Sequence, residues 1–279
     1  MRRSITLVIS LLMMASMTYA QKPSGYNLKQ GDKFTMTRVT DVATKQQAMG
    51  QSTEISEITT VVEALEVIAV SNNVYTIKST PTKRKLAISA PMMSQEMNSD
   101  LDGNQNLPFK MLTGESYSFT MDKFGKILQF KDLDKMKGIM RKKFTSSMFA
   151  TAADDLLSVF DEALLKRELE AQFSFYNTAS GDKWTKKVTI VTAELPIELT
   201  NAYRWDNDKT ILVEADIKMN GATVISGMNM SFDMNGNQQS IVDLDQKNGM
   251  PLKLQTIQTL KGEMEAQNTK VPTTMITKT

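Results

Sequence analysis

Two pairs of aspartates have a spacing that could support catalysis. Asp132 and Asp134 are separated by one leucine, and so are Asp243 and Asp245. Alternate residues of a β-strand share a face, so each pair could supply the two carboxyl groups of a glycoside hydrolase. The same spacing is common where a strand ends in a cap and a turn. We favour the turn, and a carboxylate-pair hydrolase is our third functional hypothesis.

A segment rich in oxygen-bearing side chains is the candidate calcium site. Asp100, Asp102 and Asn104 alternate around Gly103, which resembles the outline of a calcium loop. In an EF-hand the glycine is the sixth residue and an acid is the twelfth, whereas here the glycine is fourth and Met111 is twelfth. We therefore favour an ordinary turn rich in aspartate and asparagine, and we predict neither a metal nor a cofactor.

The sequence contains no histidine and no cysteine among its 279 residues. This composition excludes catalysis by a serine or cysteine nucleophile that depends on histidine. It also removes the usual ligands of zinc and copper. The 21 methionines could bind copper(I) through their thioethers, but we favour a soft core or an apolar cavity lining. We predict that the protein is not an enzyme.

The first twenty residues have the pattern of a secretory signal peptide. Arg2 and Arg3 precede an apolar run from Ile5 to Met14, and the segment ends at Ala20. We therefore predict an exported protein, periplasmic or extracellular, with no transmembrane segment after signal removal. Removing both arginines lowers the 33 basic residues to 31, equal to the 31 acidic residues. This neutral balance gives no reason to expect a nucleic-acid partner.

Most of the remaining chain has the alternating pattern of β-strands. Phe34 and Met36 alternate with threonines, and two long stretches of strand character meet at the turn Ser71–Asn73. Short markers recur in order, beginning with Gly31–Phe34 and Gly181–Trp184, which indicates that one strand-rich unit occurs twice. The predicted organisation is a signal peptide at 1–20, a first β-rich repeat at 21–132, a helical segment at 133–172, a second β-rich repeat at 173–262 and a polar tail at 263–279.

Three local expectations accompany this organisation. A single strand is predicted over 223–232, where methionines and a phenylalanine occupy alternate positions. An irregular loop is predicted over 90–107, which shows no period. The polar, threonine-rich tail is expected to fray.

Helical spacing follows the first repeat. Met136, Met140 and Phe144 recur at intervals of four residues. A capping box at 151–154 then predicts the start of a second helix, whose apolar stripe covers 153–164. Both helices are amphipathic, so we expect them to bury their stripes against the sheet.

Five segments of the mature chain carry a resemblance to known proteins. They lie at 28–34, 49–51, 92–100, 181–184 and 243–251. They are similar to a family of uncharacterised exported proteins of the Bacteroidota, which has no assigned activity, so the resemblance implies no catalytic residues. The arrangement of two strand-rich repeats around helices also resembles the half-barrel of periplasmic lipoprotein carriers, whose curved sheet holds helices or lipid. This second resemblance concerns the fold and implies no function.

We therefore predict an α+β fold of mostly antiparallel β-structure, in which two related strand-rich halves form curved sheets with amphipathic helices between them. The leading hypothesis is a non-catalytic envelope protein that holds an apolar ligand, such as a lipid, or a partner segment on its concave sheet. The alternative is a structural or interaction protein whose own helices fill that concave face. Candidates for a cavity lining, which core packing would explain equally well, are Phe119, Met121, Leu156, Phe160, Met228, Met230 and Phe232.

Overall fold

The computed structural model describes residues 22–48, 51–91, 93–178, 181–192, 195–225, 228–266 and 269–279. The predicted signal peptide at 1–20 lies outside the described residues. So do parts of two resemblance segments, those at 49–51 and 92–100.

Strands dominate the fold. They are β1 Lys33–Ala48, β2 Gln51–Ser71, β3 Val74–Ala90, β4 Met93–Asn98, β5 Tyr117–Asp122, β6 Ile127–Lys131, β7 Lys183–Thr192, β8 Leu195–Trp205, β9 Thr210–Ile225, β10 Met228–Leu244, β11 Pro251–Ala266 and β12 Thr269–Lys278. They form one sheet with the order β6-β5-β3-β2-β1-β12-β11-β10-β9-β8-β7, and β4 pairs with β3 beside this path. The sheet is large, curved and open, so the prediction of an α+β fold with mainly antiparallel strands is confirmed.

The first and second halves of the chain meet at β12. Strands β1 to β6 lie on one side of β12 and strands β7 to β11 lie on the other. Sequence neighbours pair as hairpins in both halves, as the alternating pattern predicts. At the predicted turn between β2 and β3, Asn72 and Asn73 adopt positive φ angles of 49° and 61°. Asparagine tolerates this left-handed conformation better than most residues.

The helices are α1 Leu107–Met111, α2 Leu133–Thr145, α3 Ala153–Leu157 and α4 Glu162–Phe173. The stripe predicted for α2 is confirmed, since Met136, Met140 and Phe144 are all buried. Burial of such a stripe against a sheet provides most of the stability of a helix of this length.

The second predicted helix is interrupted. Ala152 precedes α3 and makes no side-chain capping hydrogen bond, so the capping box predicted at 151–154 is wrong. Asp161 instead begins α4, because its carboxylate accepts a hydrogen bond from the N–H of Leu164 at 2.9 Å. Asp161 itself has an extended backbone, which separates α3 from α4 and rotates the buried face to Leu165.

Two apolar clusters lie along the sheet. The main core forms where the helices pack on the sheet, and it contains Leu65, Phe119, Met140, Phe144, Phe160, Phe173 and Val242. A separate group, here called the far cluster, contains Ile197, Leu199, Ile217, Met219, Phe232, Met234 and Leu260. The far cluster is built by strands β8 to β11 and includes none of the residues of the helices.

Two glycines allow neighbouring strands to approach closely beside the far cluster. A Cβ atom on Gly236 would lie 1.8 Å from the carbonyl oxygen of Thr259, and one on Gly262 would lie 2.0 Å from that of Asp233. Any larger residue would therefore collide with the backbone of the next strand. Glycines at such positions permit sharp local bending of a sheet.

Three of the local expectations are corrected by the strand pairings. The tail at 263–279 is not frayed, because it completes β11 and forms β12, which pairs with both β1 and β11. The single strand expected over 223–232 is instead the end of β9 and the start of β10, paired with each other. The loop expected over 90–107 contains β4, which pairs with β3.

We expect Gly236→Ala to lower the free energy of unfolding by about 2 kcal/mol or more, because the strands must separate to admit the methyl group. Gly138→Ala is the matched control, since Gly138 lies within α2 and a Cβ there would meet nothing within 4 Å. The control should raise the stability by up to about 1 kcal/mol. Urea denaturation followed by circular dichroism measures both values. Equal effects of the two substitutions would contradict the proposed close approach.

Candidate functional site

A gap in the sheet lies beyond the end of β12. Lys278 pairs with Asp41 of β1 and with Ile257 of β11. Thr279 then exchanges two backbone hydrogen bonds with Thr256, each 2.9 Å long. Beyond this point β1 continues from 39 down to 34 and β11 from 255 down to 251, with no described strand between them. We call this gap the slot.

Both sides of the slot are backbone edges. Over 34–39, β1 pairs with β2 on the side away from the slot. Over 251–255, β11 pairs with β10 on the side away from the slot. Among the described residues no backbone partner occupies the facing sides of these two stretches. Each stretch therefore presents N–H and C=O groups to the slot.

The dimensions of the slot fit one strand. Where β12 still separates them, β1 and β11 are two strand spacings apart, which corresponds to roughly 9.5 Å. The open part spans the six residues of β1 from Phe34 to Val39, or roughly 20 Å of extended chain. Its cavity volume is about 420 Å³.

The floor of the slot is apolar. Phe34, Met36 and Leu254 line it from the two strands, and all three pack against the main core. Phe173, at the end of α4, lines the slot from the side on which the helices pack and is 1% exposed. The hydroxyl group of Tyr26 donates to the carbonyl oxygen of Phe173 at 2.9 Å, which anchors this end of the helix.

Proline and a bulge shape the β11 side of the slot. Pro251 is the first residue of β11, a position where a strand tolerates the missing N–H group. The pairing with β10 shifts between Asp243 and Leu244, so that Lys253 lies opposite Asp243 and Pro251 opposite Leu244. Leu252 is left out of the ladder and is 72% exposed at the rim of the slot. An apolar side chain of this exposure is available for contact with a partner.

A partly buried charged cluster lies beside the slot. Arg38 lines the slot and forms an ion pair of 2.9 Å with Glu168 of α4. Glu63 of β2 is 6% exposed, and burial raises its pKa above the ordinary value of 4.5, against the opposing attraction of Arg84 and Arg38. Burial also lowers the pKa of Arg84. Two guanidinium groups and two carboxyl groups thus lie together on this face of the sheet.

Four buried side-chain atoms of this region have no hydrogen-bond partner among the described residues. They are Nε of Arg84, Oε1 of Gln172, Oγ of Ser79 and the hydroxyl oxygen of Tyr117. The guanidinium carbon of Arg84 lies 4.9 Å from the centre of the Phe160 ring, and Gln172 lines both the slot and the small void beside Arg38. The cluster is therefore incompletely hydrogen bonded.

The predicted cavity residues do not line one cavity. Phe119, Met121 and Phe160 are fully buried in the main core, and Leu156 packs against it. Phe232 belongs to the far cluster and Met230 packs against that cluster. The side chain of Met228 lies outside the described part of the structure. None of the six described residues lines the slot.

The aspartate pairs occupy turns and caps. Asp132 precedes α2 in a left-handed conformation, and Asp134 forms an ion pair with Lys137. Asp243 accepts a hydrogen bond from the hydroxyl group of Thr210 at 2.8 Å. Asp245 accepts one from the N–H of the second residue after it, at 2.8 Å, and lies at the end of the slot. The carboxylates of Asp134, Asp243 and Asp245 therefore have local structural roles, whereas Asp132 makes no side-chain capping hydrogen bond.

Lysines form ion pairs with both aspartates of the candidate calcium segment. Asp100 forms an ion pair with Lys83, and Asp102 forms one of 2.6 Å with Lys110. Within the described ranges no three histidine, cysteine, aspartate or glutamate side chains are grouped as a metal site requires.

The same ranges contain no helix with the length and hydropathy needed to cross a membrane.

Sequence reasoning missed both the slot and the charged cluster. The slot arises from pairing between the two ends of the chain, which no local pattern reveals. The cluster did leave a signal, because Arg38 and Glu63 occupy inward positions of strands whose neighbouring inward residues, such as Met36 and Leu65, are apolar. Charged residues on an apolar face are rarely buried without a partner.

The raised pKa of Glu63 predicts a pH dependence of stability. The folded protein holds the Glu63 proton more tightly than the unfolded chain, so this contribution is complete below pH 4.5 and is lost as the pH rises through the raised pKa. The wild type should therefore lose stability relative to Glu63→Gln as the pH rises above about 4.5. The unfolding free energy of the variant minus that of the wild type should increase over this range. Urea denaturation at pH 4, 5, 6 and 7 measures it. The exposed Glu214→Gln is the control, and a pH-independent difference for Glu63→Gln would contradict the interpretation.

One family model matches the chain. The family model described as a family of unknown function, DUF6263, matches residues 72–251, which is more than half of the 279 residues. No curated protein matches the chain. The matched region runs from the turn between β2 and β3 to the first residue of β11. The chain therefore belongs to the DUF6263 family of unknown function.

Proposed function

We propose that this protein is a non-catalytic, exported binding protein that accepts an extended polypeptide segment as an additional strand in the slot. One observation carries the proposal: β12 fills the space between β1 and β11 along part of their length, and none of the described residues pairs with the facing edges along the rest. The same sheet thus contains both a filled and an unfilled version of one strand position.

Backbone pairing favours a polypeptide over other occupants. A strand in the slot would satisfy unpaired N–H and C=O groups on both sides at once, as in other complexes formed by strand addition. The net contribution is roughly 0.5–1.5 kcal/mol for each hydrogen bond, so several bonds give useful affinity. A lipid chain could cover the apolar floor, but it has no groups that pair with the two backbone edges.

The face of the sheet that the helices cover offers less support for an apolar ligand. Met140, Phe144 and Phe160 are fully buried where the helical segment packs on the sheet. These side chains occupy the space beneath the helices, which supports the alternative of a filled core. The partner-segment form of the leading hypothesis is the one that the slot supports.

Export, location and the absence of catalysis complete the proposal. The pattern of residues 1–20 supports secretion to the periplasm or beyond, in line with the resemblance to exported Bacteroidota proteins. The resemblance to half-barrel lipoprotein carriers is consistent with a curved open sheet. The lack of histidine and cysteine and the structural roles of Asp134, Asp243 and Asp245 support a binding protein rather than an enzyme.

The binding test uses a fluorescent eight-residue peptide of alternating threonine and valine. We expect saturable binding by fluorescence anisotropy, because one face of the peptide can cover the apolar floor while its backbone pairs with both edges. Leu252→Lys should weaken binding roughly tenfold, since it replaces an apolar contact at the slot rim. Leu128→Lys, on β6 and 48% exposed, should leave binding unchanged.

Hydrogen exchange locates the bound peptide. Amides of 34–39 and 252–255 that point into the slot should exchange at least about tenfold more slowly when the peptide is bound. Absence of binding, or binding without this protection, would overturn the proposed function. Displacement of the peptide by a fluorescent fatty acid that gives no such protection would favour the apolar-ligand hypothesis instead.

A further inference from the structure

We infer that the segment entering the slot runs in the direction of β12, antiparallel to both β1 and β11, and presents apolar side chains at its fourth and sixth positions. This inference rests on the proposed function, because it specifies the partner of the same slot. It defines the partner as an extended segment of at least six residues with a fixed direction and a fixed inward face.

The direction follows from the two strands that border the slot. Both β1 and β11 are antiparallel to β12, so they are parallel to each other. An occupant in the direction of β12 would form two antiparallel ladders, whereas a reversed occupant would form two parallel ladders. Parallel pairing is slightly less stable per residue, and the strand pairs of this sheet are antiparallel throughout the described ranges. The occupant's N-terminal end is therefore placed beside Thr279.

The register follows from the last pairs of β12. Asp41 lies opposite Lys278, and Ile257 lies opposite the same residue. Extending these ladders past Thr279 places the first position of the occupant opposite Val39 and Gln255. Successive positions then proceed along β1 toward Phe34, which lies opposite the sixth position.

The side-chain preference follows from the residues on the inward face. Arg38, Met36 and Phe34 alternate with outward residues, so they border the second, fourth and sixth positions of the occupant. The second position lies beside the ion pair of Arg38 and Glu168, where a polar side chain can be accommodated. The fourth and sixth lie over the apolar floor near Leu65 and the helix end, where only apolar side chains avoid unpaired burial.

Single cysteines test the direction, because the chain has none of its own. Lys278→Cys places a thiol beside the Thr279 end of the slot, and Lys33→Cys places one at the opposite end; both lysines are exposed. The probe is the threonine–valine peptide with valine at even positions and a flexible glycine–cysteine extension at either terminus. We expect the N-terminal extension to form a disulfide with Lys278→Cys at least tenfold faster than with Lys33→Cys. The C-terminal extension should show the opposite preference.

The outcomes separate the inference from the proposed function. Reversed preferences for the two peptides would overturn the inferred direction while leaving strand addition in place. Rates no faster than those of a glycine–serine peptide with the same extensions would overturn strand addition itself. A peptide with the same composition but three adjacent valines tests the pattern, and we expect it to bind roughly tenfold more weakly. Equal binding of the two patterns would overturn the inferred side-chain preference.

Discussion

The pairing of β12 between β1 and β11 is the interaction on which the rest of this structure depends. It joins the two halves of the chain into one sheet, although the partners are separated by more than two hundred residues. Each backbone group of a sheet needs a hydrogen-bond partner. A strand that fills only part of a gap therefore leaves two facing edges whose N–H and C=O groups can accept another strand. Within the described residues, the slot is the stretch of this junction between β1 and β11 that β12 does not occupy.

Packing of the helices on the sheet gives the slot its chemical character. The helical segment covers one face of the sheet with its own side chains, and the end of α4 brings Phe173 into the lining of the slot. Arg38 and Glu168 add a charged pair at one end of an otherwise apolar floor. The close approach at Gly236 belongs to the separate far cluster, which contains none of the helix residues. The slot is therefore the place where backbone pairing capacity and apolar surface coincide.

Local patterns predicted what local interactions determine. The alternation of the strands, the turn at Asn72 and the buried stripe of α2 follow from short-range periodicity, and the structure confirms them. The break at Asp161 was missed because the apolar spacing continues through it, while the cap that restarts the helix depends on one carboxylate. The tail was misjudged because its threonines are polar, although threonine also favours strands. The slot required knowledge of which distant strands become neighbours. The six cavity candidates whose side chains are described belong to, or pack against, two separate clusters, which local periodicity could not distinguish.

The most direct test adds a strand to the chain itself. A version extended after Thr279 by six residues of alternating threonine and valine places a donor segment in line with β12, and a glycine–serine extension of equal length is the control. If the threonine–valine extension fills the slot, several hydrogen bonds form on both edges. The free energy of unfolding of this chain, measured by urea denaturation, should then be at least about 1 kcal/mol higher than that of the control. The extended chain should also fail to bind the fluorescent peptide. Equal stability of the two extended chains, with peptide binding retained in both, would contradict the account.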